Sequence, residues 1–156
     1  SNKVETFPAG MGMQGQATPT GQFHIIEKVD HPKWYVPAGE MAMMAKQGMY
    51  LPKVMPSGPE NPLGDYELRL NRRTYLLHGT NTPATVGRRA SAGCLHLFPE
   101  DISSLFNQVD VGTPVNIIDQ PFKAALVGDT VYFQAYQPLH EDRIFWGNNP
   151  TSVWQN

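Results

Sequence analysis

The stretch TYLLHGTNTPATVGRRASAGC, residues 74–94, decides how this chain is read. Its first five residues alternate as a half-buried strand does, and the strand ends on His78. Residues 79–93 are polar and carry Gly79, Gly87 and Gly93, so they read as a long loop. That loop returns the chain to Cys94, its one cysteine. A single cysteine closes no disulfide within the chain. It is a buried thiol, an intermolecular bridge or a reactive nucleophile. Free cysteines are among the most buried residues and usually sit in apolar runs. Cys94 instead follows Ser91, Ala92 and Gly93 at a loop end. Gly93 there allows close backbone approach or positive φ.

A thiol becomes a strong nucleophile only as the thiolate, and pairing with an imidazole promotes that ionisation. A Cys–His pair also returns a proton to a leaving amine. The imidazole needs a third group to orient it. No carboxylate lies close in sequence, and the Gly79 carbonyl is the candidate. The N–H groups of Gly93 and Cys94 are candidates for part of an oxyanion hole. These residues suggest a cysteine acyltransferase or amidase. Spacing alone leaves a structural thiol open.

Working outward, YELRL (66–70) pairs naturally with TYLLH (74–78) as a hairpin. PEDISSLFNQV (99–109) places Ile102, Leu105, Phe106 and Val109 on one helical stripe, with Pro99, Glu100 and Asp101 suited to the first turn. Strands are predicted at KVETF (3–7), QFHIIEKV (22–29), TPVNIID (113–119) and TVYFQAY (130–136). PAGMGMQGQATPTG (8–21) reads as a turn-rich connection. EMAMMAKQ (40–47) reads as a short helix whose Met41, Met44 and Ala45 form a packing face. LPKVMPSGPENPLG (51–64) is too rich in proline for a central strand. The tally is six or seven strands and two helices, a mainly β domain. The tail 137–156 holds Trp146 and Trp154 with little periodicity.

Composition narrows the function classes. The chain has 156 residues, a net charge of −2, and 14 each of glycine and proline, which favours turns and short strands over a helical bundle. There is no basic run for nucleic acid, and no apolar stretch approaches the ~20 residues of a membrane helix. The opening SNKVETFPAGMG lacks the order of a signal peptide.

HGTNTPATVGRRASAGC resembles the signature of the L,D-transpeptidase catalytic domain, the YkuD/ErfK family: His-Gly-Thr-Asn, a loop, then Ser-His-Gly-Cys. ATPTGQFHI (17–25), NPLGDYELRL (61–70), FPEDISSLF (98–106) and VGTPVNIID (111–119) agree in order and spacing. The resemblance spans roughly residues 4–137. It implies a β-sandwich-like catalytic domain over 1–137, preceded by one further strand, with 138–156 as a C-terminal extension. It implies attack by Cys94 on the third residue of a peptidoglycan tetrapeptide stem and release of D-Ala. The acyl group then passes to an amine, giving a 3→3 crosslink, a bond to a lipoprotein lysine, or D-amino acid exchange. Water as acceptor would make an L,D-carboxypeptidase. No cofactor is implied, and the substrate places the protein in the periplasm or cell wall.

Carried over by position, His78 is the base, the Gly79 carbonyl orients it, and Ser91 and Gly93 shape the nucleophile loop. Arg89, with neighbouring Arg88, is a candidate for a substrate carboxylate. Two positions depart from the pattern. Ala92 stands where the family usually has histidine, and His96 where it often has arginine. The first departure opens a non-enzyme alternative, a degenerate wall-binding domain. The second makes His96 a pH-sensitive candidate for a substrate carboxylate. His24, His31 and His140 show no ligand spacing, so no metal site is expected. Trp34, Tyr35, Tyr50 and Tyr66 are candidates for core or cleft-rim packing.

Overall fold

A computed structural model describes residues 4–72, 74–120 and 122–135. The chain divides into two units, Ser1–Asn116 and Ile117–Asn156. The first is built on a mixed seven-stranded sheet with two helices, so the architecture is mainly β as expected. The strands that position the centre of the sheet are β1 (Ala9–Gly12), β2 (Gly21–Asp30), β5 (Tyr66–Leu70), β6 (Leu76–His78), β7 (Arg89–Ser91), β8 (Leu95–Leu97) and β9 (Pro114–Ile117), in the order β7-β1-β8-β6-β5-β2-β9. The β1–β7 and β6–β8 ladders are parallel, and the connection between β6 and β8 is the long loop after His78. A short pair, β3 (Trp34–Tyr35) with β4 (Val54–Met55), brackets helix α1 (Ala38–Lys46). In the second unit β10 (Phe122–Val127) and β11 (Thr130–Ala135) make an antiparallel hairpin.

The apolar alternation of β5 puts Leu68 and Leu70 on one face, both fully buried. Ile25, Val36, Leu63, Leu97 and Ile102 are the other buried apolar side chains among the described residues. Each such side chain contributes roughly 1.5–3 kcal/mol by leaving water. Ile102 comes from helix α2 (Pro99–Gln108), which begins on Pro99 with Glu100 and Asp101 in its first turn. Its C-terminal end is held by Lys28, whose Nζ donates to the Val109 carbonyl at 2.7 Å and lies over the Phe106 ring. Tyr66 packs on the same ring, with centroids 4.6 Å apart. The long insertion between β2 and β5 is pinned by Asn61, which is fully buried. Its Nδ2 donates to the carbonyls of Pro32 and Pro56, and its Oδ1 accepts the Leu63 N–H.

Three expectations are corrected. The first strand lies at 9–12, not 3–7, inside the segment read as a connection. Its AGMG sequence is poor in strand formers because Gly10 sits against the His96 ring, where an added Cβ would stand 2.1 Å from Cε1. Backbone bonds to two neighbouring strands compensate. The loop read over 79–93 contains a 3-10 turn (Pro83–Thr85) and β7, again secured by pairing rather than propensity. Helix α1 forms over 38–46 but buries no residue completely. Met41 and Met44 are half-buried and Ala45 is exposed, so its methionine face is only partly covered. Trp146 and Trp154 lie outside the described residues.

Candidate active site

The pairing of β6 with β8 builds the site. In this parallel ladder Leu77 aligns with Leu95 and His78 with His96. Aligned residues of neighbouring strands share a face, and so do residues two apart on one strand. His78 and His96 therefore stand side by side, their rings stacked with centroids 6.0 Å apart. Cys94 lies one residue before β8 and two before His96.

His78 is buried, and its Nδ1 lies 2.7 Å from the Gly79 carbonyl. A carbonyl only accepts, so Nδ1 carries the proton and Nε2 presents a lone pair. Burial holds the His78 pKa down to about 4. The Gly79 carbonyl opposes that shift, His96 adds to it, and the Leu63 carbonyl opposes it more weakly. The imidazole is thus neutral at pH 7. Gly79 itself is packed beneath Ile102 and the Leu63 carbonyl, which fixes the orienting oxygen.

The Cys94 thiol is half-buried and donates weakly to the Thr74 carbonyl at 3.7 Å. Burial pushes its pKa up. A backbone hydrogen bond from Leu76 pulls it down, and the charges of Glu67 and Glu40 push it up further. Thiol and imidazole are both uncharged at rest. The pair is then suited to proton transfer as the sulfur attacks, not to a standing ion pair.

The turn before Cys94 is organised by Ser91. Its Oγ donates to the Cys94 carbonyl at 2.6 Å and accepts the Gly93 N–H at 3.2 Å. Gly93 has φ 113, where a side chain is strained, and an added Cβ would lie 2.9 Å from the Tyr75 ring. The Gly93 N–H is occupied by Ser91, which leaves the Cys94 N–H as the candidate oxyanion donor from this turn.

The other predicted residues are spread more widely. Arg89 lies in β7 and its Nε donates to the Gly12 carbonyl at 3.0 Å, tying the loop to β1. Arg88 is exposed, as is Ala92. His96 is buried, with Nε2 2.9 Å from Thr85 Oγ1. The Thr85 hydroxyl spends its one proton on the Thr82 carbonyl, so His96 Nε2 is the donor of that pair. Burial lowers the His96 pKa, and a hydrogen bond to the Thr85 backbone carbonyl partly offsets it. His24 lies in β2 and His31 in the turn after it, while His140 lies outside the described residues. Trp34 is half-buried, and Tyr35 and Tyr50 are exposed.

Sequence reasoning missed Glu67 and Glu40. Glu67 is the more telling, being 2% exposed in the centre of β5 and bonded through Oε1 to Arg69 Nε. In YELRL it takes an ordinary polar position of the alternation, as Arg69 does, so the sequence alone does not mark it.

The family model for the L,D-transpeptidase catalytic domain, YkuD, matches residues 1–117. "Probable L,D-transpeptidase ErfK/SrfK" of Salmonella typhimurium is 39% identical over 145 residues, covering 92% of this chain and 47% of that protein. "Probable L,D-transpeptidase YbiS" of Escherichia coli is 40% identical over 141 residues, covering 89% and 46%. The crystal structure of L,D-transpeptidase 3 from Mycobacterium tuberculosis matches 76% of this chain and 46% of that one with a TM-score of 0.55 at 23% identity, a likeness of fold. This chain spans about half the length of the curated relatives it matches.

Proposed function

The chain belongs to the YkuD family of L,D-transpeptidase catalytic domains, and from that premise we propose that it transfers acyl groups between peptidoglycan stem peptides through a thioester at Cys94. The observation that carries this reading is the state of His78: neutral, with Nδ1–H committed to the Gly79 carbonyl, on a strand whose parallel partner β8 begins directly after Cys94. The donor is a tetrapeptide stem. As the sulfur attacks the carbonyl of the third residue, the thiol proton passes to His78 Nε2. The tetrahedral oxyanion is met by the Cys94 N–H. Collapse breaks the peptide bond, and the imidazolium gives its proton to the departing amine of D-Ala. The incoming amine then loses a proton to the same Nε2 as it displaces the thiolate, which is reprotonated.

Ser91 supports the sequence by bracing the Cys94 carbonyl and the Gly93 N–H, so the nucleophile and its N–H keep one orientation. Arg89 and Arg88 remain the basic candidates for a stem carboxylate, with Arg89 working from the β7 edge. His96 reaches substrate only by releasing Thr85, so its first role in this reading is to hold the loop after His78 against β8. The acceptor is an amine of a second stem, a D-amino acid or a lipoprotein lysine. The setting is the periplasm or cell wall, where such stems occur. Among the described residues no helix is long and apolar enough to cross a membrane.

Mass spectrometry of a tetrapeptide muropeptide incubated with the protein, with and without an added D-amino acid, tests the proposal. Exchange of the terminal residue is expected. Tripeptide alone would assign the L,D-carboxypeptidase activity. Absence of both products from folded protein would overturn the enzyme reading in favour of a stem-binding domain.

A further inference from the structure

A carboxylate buried in a sheet is costly unless something uses or neutralises it, and Glu67 is 2% exposed on β5, between Tyr66 and Leu68. Glu67 aligns with His78 across the antiparallel β5–β6 ladder, so the two side chains share the active-site face. The row continues through His96 on β8 to Gly10 on β1. Arg69, two residues along, binds Glu67 through Nε and Glu27 on β2 through Nη1 at 2.7 Å. One guanidinium thus serves two carboxylates, and the cluster keeps a net negative charge beside the imidazole. Around the reacting pair stand Glu67 and Arg69 from β5, Tyr75 with Arg72 over its ring before β6, His96 from β8 and Glu40 from α1. Arg89 is turned to β1.

We propose that Glu67 is a positioning residue for the Cys94–His78 pair: its carboxylate, anchored by Arg69 and facing His78 across the sheet, is the fixed negative charge beside which the imidazolium forms. This rests on the reading that Cys94 and His78 react together. An anion at this point favours His78 when it has taken the thiol proton. The same anion opposes a bare thiolate, so the proton stays on sulfur until substrate arrives. The upward push of Glu67 on the Cys94 thiol agrees with this placement. His96 adds no counter-charge at neutral pH, because it is buried and donates its Nε2–H to Thr85.

Cys94 is the one cysteine, so iodoacetamide alkylation of the full chain reports on it alone. The probe needs no stem peptide, which separates failure of this proposal from failure of the transpeptidase reading. Glu67→Gln keeps the shape and an acceptor for Arg69. It should lower the alkylation midpoint by about one pH unit. Arg69→Gln, at a half-exposed site, leaves Glu67 uncompensated and should raise the midpoint by a similar amount. A packing role moves neither midpoint, or both in one direction. A folded Glu67→Gln protein whose midpoint stays within about 0.2 unit of the parent, or rises, overturns the proposal. If Glu67→Gln does not fold, an Arg69→Gln midpoint that fails to rise overturns it equally.

Discussion

Acid should destabilise this domain through His78 in a measurable way. The folded-state pKa is about 4 against an ordinary value of 6.5, because the ring is buried. A depressed histidine pKa means the unfolded chain binds the proton more readily. Stability is therefore intact above pH 6.5 and is lost progressively as the pH falls toward 4. At 1.36 kcal/mol per unit, the linkage between pH 7 and pH 4.5 amounts to roughly 2.5 kcal/mol. That is a large share of the ~5–15 kcal/mol typical of a domain. The assay is urea unfolding at several pH values between 7 and 4.5, on the parent and on His78→Asn. The asparagine amide can still donate to the Gly79 carbonyl but does not titrate. His96, also lowered by burial, contributes with the same sign and is present in both proteins. The parent should lose roughly 2.5 kcal/mol more than the variant over this range. Parallel pH dependences in the two proteins would refute the claim that His78 is held neutral by burial.

Three further substitutions have defined outcomes. Gly10→Ala would put a methyl 2.1 Å from the His96 ring and 2.8 Å from the Thr85 carbonyl, so thermal unfolding should report a loss of about 1–3 kcal/mol. Gly93→Ala meets both φ 113 and the Tyr75 ring, and should cost about 1–3 kcal/mol while slowing Cys94 alkylation at a fixed pH. Asn61→Ala strips partners from the Pro32 and Pro56 carbonyls and the Leu63 N–H, and denaturant unfolding should show a loss of roughly 2–4 kcal/mol.

Much of the frame is written in local pattern. YELRL is a strand with the expected ends, and the helix read over 99–109 forms over 99–108, because periodicity and burial agree in both. The strand read over 22–29 forms over 21–30. β1 and β7 escaped notice for one reason: their stability comes from pairing with distant partners, and nothing local in AGMG or RAS announces a strand. The hairpin strand FKAALV was missed because five of its six residues are exposed and no burial pattern marks it. At the site, His78, Gly79, Ser91, Gly93 and Cys94 stand out in the sequence because they cluster along one loop. Glu67 and Arg69 do not, since only the β5–β6 register sets Glu67 opposite His78, with Arg69 bonded to it. Arg89 could be named from sequence, but its bond to the Gly12 carbonyl depends on a parallel strand pair that spacing does not reveal.

The central claim is a thioester at Cys94, and intact-protein mass spectrometry tests it most directly. The chain is incubated with a tetrapeptide stem, quenched in acid and compared with Cys94→Ala. The account predicts a mass increase equal to the stem less D-Ala, mapped to the peptide bearing Cys94 and absent from the variant. A parent protein that stays unmodified while consuming the stem, or an adduct that persists in Cys94→Ala, would contradict it.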